Sequence, residues 1–409
     1  MTPAATEHGF GSALRGARKH SRRTQEDLAK VLDVSRATIA QWETGRHLPS
    51  PHHAHRLDTI LGTRGALSQL ADLKRDSGAA AEPLDDDEDV LSLLGKVDAA
   101  LFAHMSRDSA GKPLGWCQNL QERKPAFAFS TAFGIKTALL IDDIHRPHLG
   151  MLAARLHDLA QPDGGWRTSA QRASRPEATA VVVDALFRLD CTTDFGPHLD
   201  VLERTTRDDE VAGHRPAILS TVLETVLDVR PDSQFASDLV RDLLNSRRTY
   251  GSEVLLWPEK AERGLASPEP YVAHTARAVC ALSRALQMSA TKAQTAQVED
   301  ALDAAIGWLL QQTQYRTSTE IVVRGAKPEE TIFLRHFNSS WVARALLLAD
   351  QSLAEPALVA AMADVWSRFS AEHGLWSWPN GDMPVWMQFD GVATARLFAL
   401  AACRAPVGP

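Results

Sequence analysis

Two rhythms of apolar residues run along the chain. The first is short and lies near the N-terminus. Leu28, Ala29, Val31 and Leu32 share one face of a helix predicted over 25–32, and Ile39 and Trp42 share one side of a second over 36–43. Thr24, with Asp27 three residues on, makes a variant capping box for the first helix. Asp33-Val34 is a short turn, Ser35 caps the second helix, and Gly45 stops it. A helix over 12–20 comes before this pair, with Leu14 and Ala17 facing inward. Pro49 and Pro51 begin a further segment in which Leu57, Ile60 and Leu61 close a small core.

The second rhythm is longer and repeats from 90 to 405. An Ala-Leu or Val-Leu pair recurs at Ala138-Leu139, Ala185-Leu186, Val226-Leu227, Ala281-Leu282, Ala345-Leu346 and Ala399-Leu400. Six residues before each pair stands a small side chain: Ala132, Thr179, Ser220, Thr275, Ser339 and Ala393. The intervals cluster near 50 residues (47, 41, 55, 64 and 54), the period of a repeat architecture. Before each of these apolar helices lies a more amphipathic one, over about 87–105, 148–160, 197–210, 233–247, 296–313 and 354–371. Six such pairs predict an α/α toroid. The apolar helices form its inner ring, where small residues let neighbours approach, and the amphipathic ones its outer ring. An open solenoid is the structural alternative; closure is preferred because neither end pair looks like a polar capping repeat. The expected fold class is all-α, a small helix-turn-helix domain followed by an (α/α)6 toroid.

Charge separates the same two regions. Residues 1–76 hold 12 Lys and Arg against 8 Asp and Glu, a net of +4, whereas the remainder holds 32 against 43, a net of −11. Six of the 15 histidines also lie in the first segment. A basic head on an acidic body suggests that only the head meets a polyanion. Between them, 77–89 is small, polar and acidic and reads as a linker, with the run Asp85 to Asp89 favouring the start of the next helix. The expected division is therefore 1–76, a linker at 77–89, and a toroid over 90–409. No apolar run spans a bilayer, since Phe127 to Ile141 is cut by Lys136, so no membrane partner is expected. The first twenty residues carry no secretory pattern, and Cys117, Cys191, Cys280 and Cys403 are far apart; a reducing cytoplasm fits.

Two short helices joined by so tight a turn bury their apolar faces together and leave the N-terminal part of the second exposed. That part is narrow enough to enter a DNA major groove. The string TQEDLAKVLDVSRATIAQWETGRHLPSP resembles the Xre (Cro/CI-type) helix-turn-helix family over roughly 10–65, with Thr24-Gln25-Glu26, Leu28-Ala29, Val34-Ser35, Ile39, Trp42-Glu43, Gly45 and Pro49 in the family's pattern. The resemblance implies that Gln25 and Ser35 touch phosphates. It implies that Arg36, Ala37 and Gln41 face base edges with Thr38 alongside, and that Arg46 contacts the backbone. The chemistry agrees: Arg bonds guanine, Gln bonds adenine, and Ala meets a thymine methyl. A helix-turn-helix kept for protein binding is the alternative.

In the body, QPDGGW at 161–166, with partial copies GWLLQQ at 307–312 and EHGLWSWPNGD at 372–382, resembles the QW repeats of the squalene–hopene cyclase and prenyltransferase family. That family builds α/α toroids. Gln161 can bond backbone groups left free at a helix end while Trp166 packs over it. The catalytic residues of the family are not found. Asp142-Asp143 lacks the first Asp of the DxDD acid, and YVAHTARAVCAL at 271–282 lacks the Asp-x-Cys zinc partner, so His274 is read as a pocket or core histidine. No catalytic residue, metal or cofactor is assigned. Instead, polar residues gather at the starts of the inner helices: Arg123 and Lys124, Arg175 and Glu177, His214 and Arg215, Tyr271 and His274, Arg335 and His336, and Gln388 and Asp390. Aromatics including Phe127, Phe129, Phe133, Phe337, Trp341, Trp386 and Phe389 accompany them. Such a mouth suits an anionic headgroup on an apolar, isoprenoid-like body. The alternative is that the charges pair with each other and the aromatics are core.

The function expected is a cytoplasmic transcription regulator that binds double-stranded DNA as a homodimer, its toroid sensing a small-molecule ligand or a protein partner. A cyclase- or prenyltransferase-like enzyme with a DNA-binding head, and a protein-binding scaffold, are the other readings.

Overall fold

The computed structural model describes residues 10–32, 34–45, 48–49, 51–63, 66–68, 70–71, 90–122, 124–142, 146–168, 173–189, 194–208, 215–250, 254–258, 270–288, 290, 294–312, 315, 319–323 and 331–404. These form two compact units. One is built on 10–71 together with 319–322 and 333–336, the other on the remaining described residues.

The smaller unit begins with α1 (Phe10–His20), α2 (Gln25–Leu32), α3 (Arg36–Glu43) and α4 (Pro51–Leu61). Phe10, Leu14, Leu28, Leu32, Ile39, Trp42, Ala54 and Leu57 make one core, with Ala17, Val34 and Ile60 packed at its margin. The start of α2 is a reciprocal cap: Thr24 N–H donates to Asp27 Oδ2 at 2.7 Å, and Asp27 N–H donates to Thr24 Oγ1 at 3.1 Å. Ser35 Oγ accepts from Thr38 N–H at 3.0 Å and starts α3, and Gly45 follows that helix with φ +70°. At Gly11 the chain of α1 runs against the end of α3; a Cβ there would lie 2.6 Å from the Glu43 carbonyl oxygen.

The larger unit contains, in order, α5 (Val90–Ala103), α6 (Ala128–Ile141), α7 (Arg146–Asp158), α8 (Pro176–Arg188), α9 (Gly196–Asp208), α10 (Pro216–Val229), α11 (Gln234–Asn245), α12 (Val272–Gln287), α13 (Thr295–Leu309), α14 (Asn338–Leu348), α15 (Pro356–Ser367) and α16 (Val385–Arg404). The even-numbered helices form a closed inner ring. Helix α6 packs on α8, α8 on α10, α10 on α12, α12 on α14, α14 on α16, and α16 returns to α6. The odd-numbered helices lie outside it. This is an α/α toroid, closed and not an open solenoid. Of the six small residues, Ala132, Thr179, Ser220, Thr275 and Ser339 are buried in it, as close helix contacts require, and Ala393 is half-buried. Hydroxyls also stitch neighbours together: Thr225 Oγ1 donates to the Ala180 carbonyl at 3.1 Å, and Ser340 Oγ to the Asp390 carbonyl at 3.1 Å.

Four tryptophans lock outer helices to inner ones. The fully buried indoles of Trp116, Trp166, Trp257 and Trp376 donate to the carbonyls of Leu101, Leu156, Leu243 and Val365 at 2.7, 2.8, 2.8 and 3.0 Å. Each acceptor is the third residue from the end of its outer helix, where a carbonyl has lost its regular partner four residues on and otherwise accepts only the longer bond from the N–H three residues on or a nearby side chain. Each tryptophan's own peptide then meets the fourth residue of the next inner helix. Trp116 N–H bonds Thr131 at 3.3 Å, Trp166 N–H bonds Thr179 at 3.1 Å, Thr275 bonds the Trp257 carbonyl at 3.4 Å, and Gln388 takes both sides of Trp376 at 2.8 Å. The sequence motif at 161–166 is thus one of four such locks. Gln161 behaves as expected in part, its side-chain amide reaching the Leu159 carbonyl at 3.4 Å. Trp308 does not, because it lies inside α13.

Short strand pairs add to the all-α frame: β1 (Ser106–Arg107) with β2 (Pro113–Gly115), β3 (Arg248–Tyr250) with β4 (Val254–Leu256) and β7 (Phe369–Ser370) with β8 (Leu375–Trp376), all three antiparallel, and β5 (Thr319–Val323) with β6 (Thr331–Arg335). Along the chain, each of these pairs falls between an outer helix and the inner helix after it. Strands this short carry no readable period. Among the described residues no helix is long and apolar enough to cross a membrane.

Candidate functional site

On the smaller unit, α3 divides into two faces. Ile39 and Trp42 are buried, whereas Arg36, Ala37 and Gln41 are exposed and Thr38 is half-buried beside them. Ser35, also exposed, uses its hydroxyl on Thr38 N–H and on Thr38 Oγ1, so the first turn of α3 is fixed from within. Gln25, at the first position of α2, turns its side-chain amide to Glu43 Oε2 at 2.9 Å. Arg46 lies outside the described residues.

Glu43 is the electrostatic anchor of this unit. It is buried at the end of α3 and receives Arg18 and Gln25, with Arg15 at 3.8 Å. Arg15 also donates to the Glu43 carbonyl at 3.0 Å. Burial pushes the Glu43 carboxyl up, but Arg18 and Gln25 bonding to it, with Arg15 nearby, hold it below the ordinary range. One carboxylate thereby joins α1, the start of α2 and the end of α3. The geometry of the exposed face depends on a buried charge.

A model of a helix-turn-helix domain family matches residues 10–71. The smaller unit is a helix-turn-helix domain.

In the larger unit, alternation of outer and inner helices runs the inner six in one direction, so their N-termini share one mouth. Arg175, Arg215 and Tyr271 are the N-cap residues of α8, α10 and α12. Glu177 follows in the first turn of α8, half-buried. Tyr271 packs on His274 with ring centroids 4.6 Å apart. His274 is fully buried, with Nδ1 3.0 Å from the Pro258 carbonyl, the setting of a core histidine. Trp386 is half-buried against Trp378 at 6.0 Å. Arg335 ends β6, His336 is buried, and both are grouped with the smaller unit. Gln388, expected at the mouth, is committed to Trp376. His214, Arg123, Asp143 and the linker 77–89 lie outside the described residues. Lys124 is exposed and pairs with Glu122 at 2.7 Å.

Deeper in the ring lies a set of charges that the reading of the helix starts did not reach. Lys136 Nζ on α6 meets Asp184 Oδ2 on α8 at 2.6 Å. Arg188 bonds Asp184 at 2.7 Å and Asp228 on α10 at 2.8 Å, and Arg284 on α12 joins Asp228. Further round, Asp390 on α16 accepts the Trp341 indole N–H at 3.1 Å, with Arg344 3.6 Å away on α14. The cation of Lys136 lies 4.3 Å from the Phe389 ring centroid. Burial pushes Asp184 up, but Lys136 and Arg188 hold it below the usual carboxylate range; burial pushes Asp390 up, and Arg277 and Arg344 offset only part of that. The signal for these residues was present in the chain. Lys136, Asp184, Arg188, Asp228, Arg277, Arg284 and Arg344 are charged residues on the most apolar helices, where a charge is retained only with a partner. Among the described residues no cluster of three His, Cys, Asp or Glu side chains is arranged to hold a metal ion.

The toroid has solved relatives in shape. Inactive variants of an α-1,6-mannanase from Salegentibacter sp. HEL1_6, in complex with mannotriose and with mannotetrose, each align with TM-score 0.51 at 13% identity, over 76% and 77% of this chain and 100% of theirs. A type II terpene cyclase from Scytonema aligns with TM-score 0.47 at 15% identity, over 76% of this chain and 99% of its own. No curated protein matches the chain.

Proposed function

We propose that this chain is a one-component transcription regulator of the Xre (Cro/CI) type. Helix α3 enters the major groove of a DNA duplex, with Arg36, Ala37 and Gln41 at base edges and Thr38 alongside. Gln25, Ser35 and Arg46 meet phosphates. Two copies bind together, on half-sites one helical turn apart. The ring senses a small molecule with an anionic group, or a protein partner, and acts on DNA binding from the cytoplasm.

The observation that carries this reading is the division of α3. Its inner side is anchored by Ile39, Trp42 and the Glu43 network, and its outer side presents Arg36, Ala37 and Gln41 to solvent. These three side chains have the donors, acceptors and methyl that read guanine, adenine and thymine. The net +4 of residues 1–76 suits a polyanion, and its modest size makes pairing of two heads and low salt important for affinity.

The test is a gel-shift series on the DNA upstream of the chain's own coding region. The expected result is a shift at low salt that weakens as salt rises and disappears in Arg36→Ala plus Gln41→Ala. Absence of a shift at low salt, or one that the double variant leaves unchanged, overturns the reading.

A further inference from the structure

Most charges inside the ring are matched. Lys136 and Arg188 hold Asp184, and Arg188 and Arg284 hold Asp228. Arg277 on α12 is different. Its guanidinium lies 4.2 Å from the centroid of the Trp341 ring, and no carboxylate among the described residues comes within ion-pair distance. Its Nε is sealed from solvent and has no hydrogen-bond partner. Arg344 lies 4.0 Å from the centroid of the same ring, and its Nε and Nη1 are also sealed and without partners. The distance of 3.6 Å from Arg344 Nη1 to Asp390 Oδ1 is an ion pair and too long for a hydrogen bond.

Three unmet guanidinium nitrogens around one indole are costly, because a buried cation without full compensation is destabilising. Native interiors rarely keep such groups without an acceptor that completes them. The local charge also has a definite value. Glu224 on α10 as well as Asp390 acts on Arg277, so the five cations Lys136, Arg188, Arg277, Arg284 and Arg344 stand against the four carboxylates Asp184, Asp228, Glu224 and Asp390, which leaves one positive charge over. Next to Asp390, the Phe389 ring lies 5.7 Å from that of Phe133, and both are half-buried, an aromatic wall beside the charged group with the Lys136 ammonium 4.3 and 5.6 Å from the two ring centroids.

We propose that Arg277, Arg344 and Trp341 form a binding site for a monoanionic carboxylate carried on an apolar body. The carboxylate accepts the unmet guanidinium N–H groups, and Asp390 and Glu224 limit the site to one negative charge. The apolar body lies toward Phe133 and Phe389. A phosphate, with up to two charges, overfills the site. This inference rests on the reading of the ring as a small-molecule sensor, and it names the chemical class that the sensor takes.

Calorimetry on the full-length protein tests it with four probes: decanoate, decyl phosphate, decanol and inorganic phosphate. Decanoate is expected to bind, decanol and inorganic phosphate to give no heat, and decyl phosphate to bind more weakly than decanoate. Arg277→Gln is expected to weaken decanoate by roughly tenfold or more, the scale of a lost charge-assisted pair. Asp390→Asn removes one of the two competing carboxylates and is expected to tighten decanoate several-fold; it decides the matter by itself if Arg277→Gln does not fold. No heat from decanoate, tighter binding of decyl phosphate, or decanoate binding that both variants leave unchanged overturns the site. A gel shift with and without decanoate separates the two ideas. Decanoate that binds as expected but does not alter the shift upholds the site and overturns the sensing role.

Discussion

Lys136 and Asp184 lie 2.6 Å apart across two neighbouring helices of the inner ring, both nearly sealed from solvent. Removing the lysine leaves Asp184 buried with Arg188 alone. Lys136→Met should therefore destabilise the ring by about 3 kcal/mol, the scale for breaking a buried pair. Lys136→Met combined with Asp184→Leu should cost clearly less than the sum of the two, because neither charge is then stranded. Urea denaturation followed by far-UV circular dichroism reads both. Additive losses, or a single-variant loss below about 1 kcal/mol, would show that the pair is not coupled.

The four tryptophan locks make a second prediction. Trp257→Phe keeps the ring but deletes the N–H that serves the Leu243 carbonyl. That carbonyl keeps Ser246 as a donor, so the loss is that of one net hydrogen bond, about 1 kcal/mol, together with the space the smaller ring leaves unfilled. The same change at Trp116, Trp166 or Trp376 should have a similar effect, since each serves an equivalent carbonyl. Trp308→Phe should cost less, because Trp308 is a half-buried helix residue outside the locks. Melting temperatures of the five variants check this order.

In the head, Glu43 couples stability to pH. Its native pKa lies below the unfolded value of about 4.3, so its contribution is complete above that value and is lost as pH falls through the lowered native one. Glu43→Gln should loosen the head at every pH above that window and erase this part of the acid dependence. Limited proteolysis of the full chain, following cleavage within 10–45, measures it. Equal protection of variant and parent at pH 7 would count against the anchor.

Gly11 should tolerate no side chain. A methyl group would meet the Glu43 carbonyl oxygen at 2.6 Å, so Gly11→Ala forces α1 away from α3. Gly16→Ala, where nothing lies within 4 Å, is the control and should be neutral or slightly stabilising, as alanine favours a helix over glycine by up to about 1 kcal/mol. Proteolysis of the head separates the two; similar behaviour of both variants would remove the close approach from the account.

On DNA, Arg36→Ala should cost about 1–3 kcal/mol and relax preference at one base position, whereas loss of a phosphate contact weakens all sequences alike. Competition gel shifts with single-base variants of the bound site measure the difference. A uniform loss across all bases would assign Arg36 to the backbone.

Much of this architecture is legible in the order of residues. Local signals suffice where a feature depends on neighbours in the chain. The Thr24–Asp27 cap, the Ser35 cap, the stop at Gly45 and the apolar stripe of each helix are all of this kind, because helix ends and faces are set within a few residues. The small residues from Ala132 to Ser339 likewise announce an inner ring, since only close helix contacts require them at one register. The shared placement of Trp116, Trp166, Trp257 and Trp376 and the pairing of Lys136 with Asp184 were decided only in three dimensions. Each joins residues on separate helices through spacings that vary from one repeat to the next, so no fixed interval marks them. A charge on an apolar helix looks like an interruption until the partner that neutralises it is brought alongside by the closing of the ring.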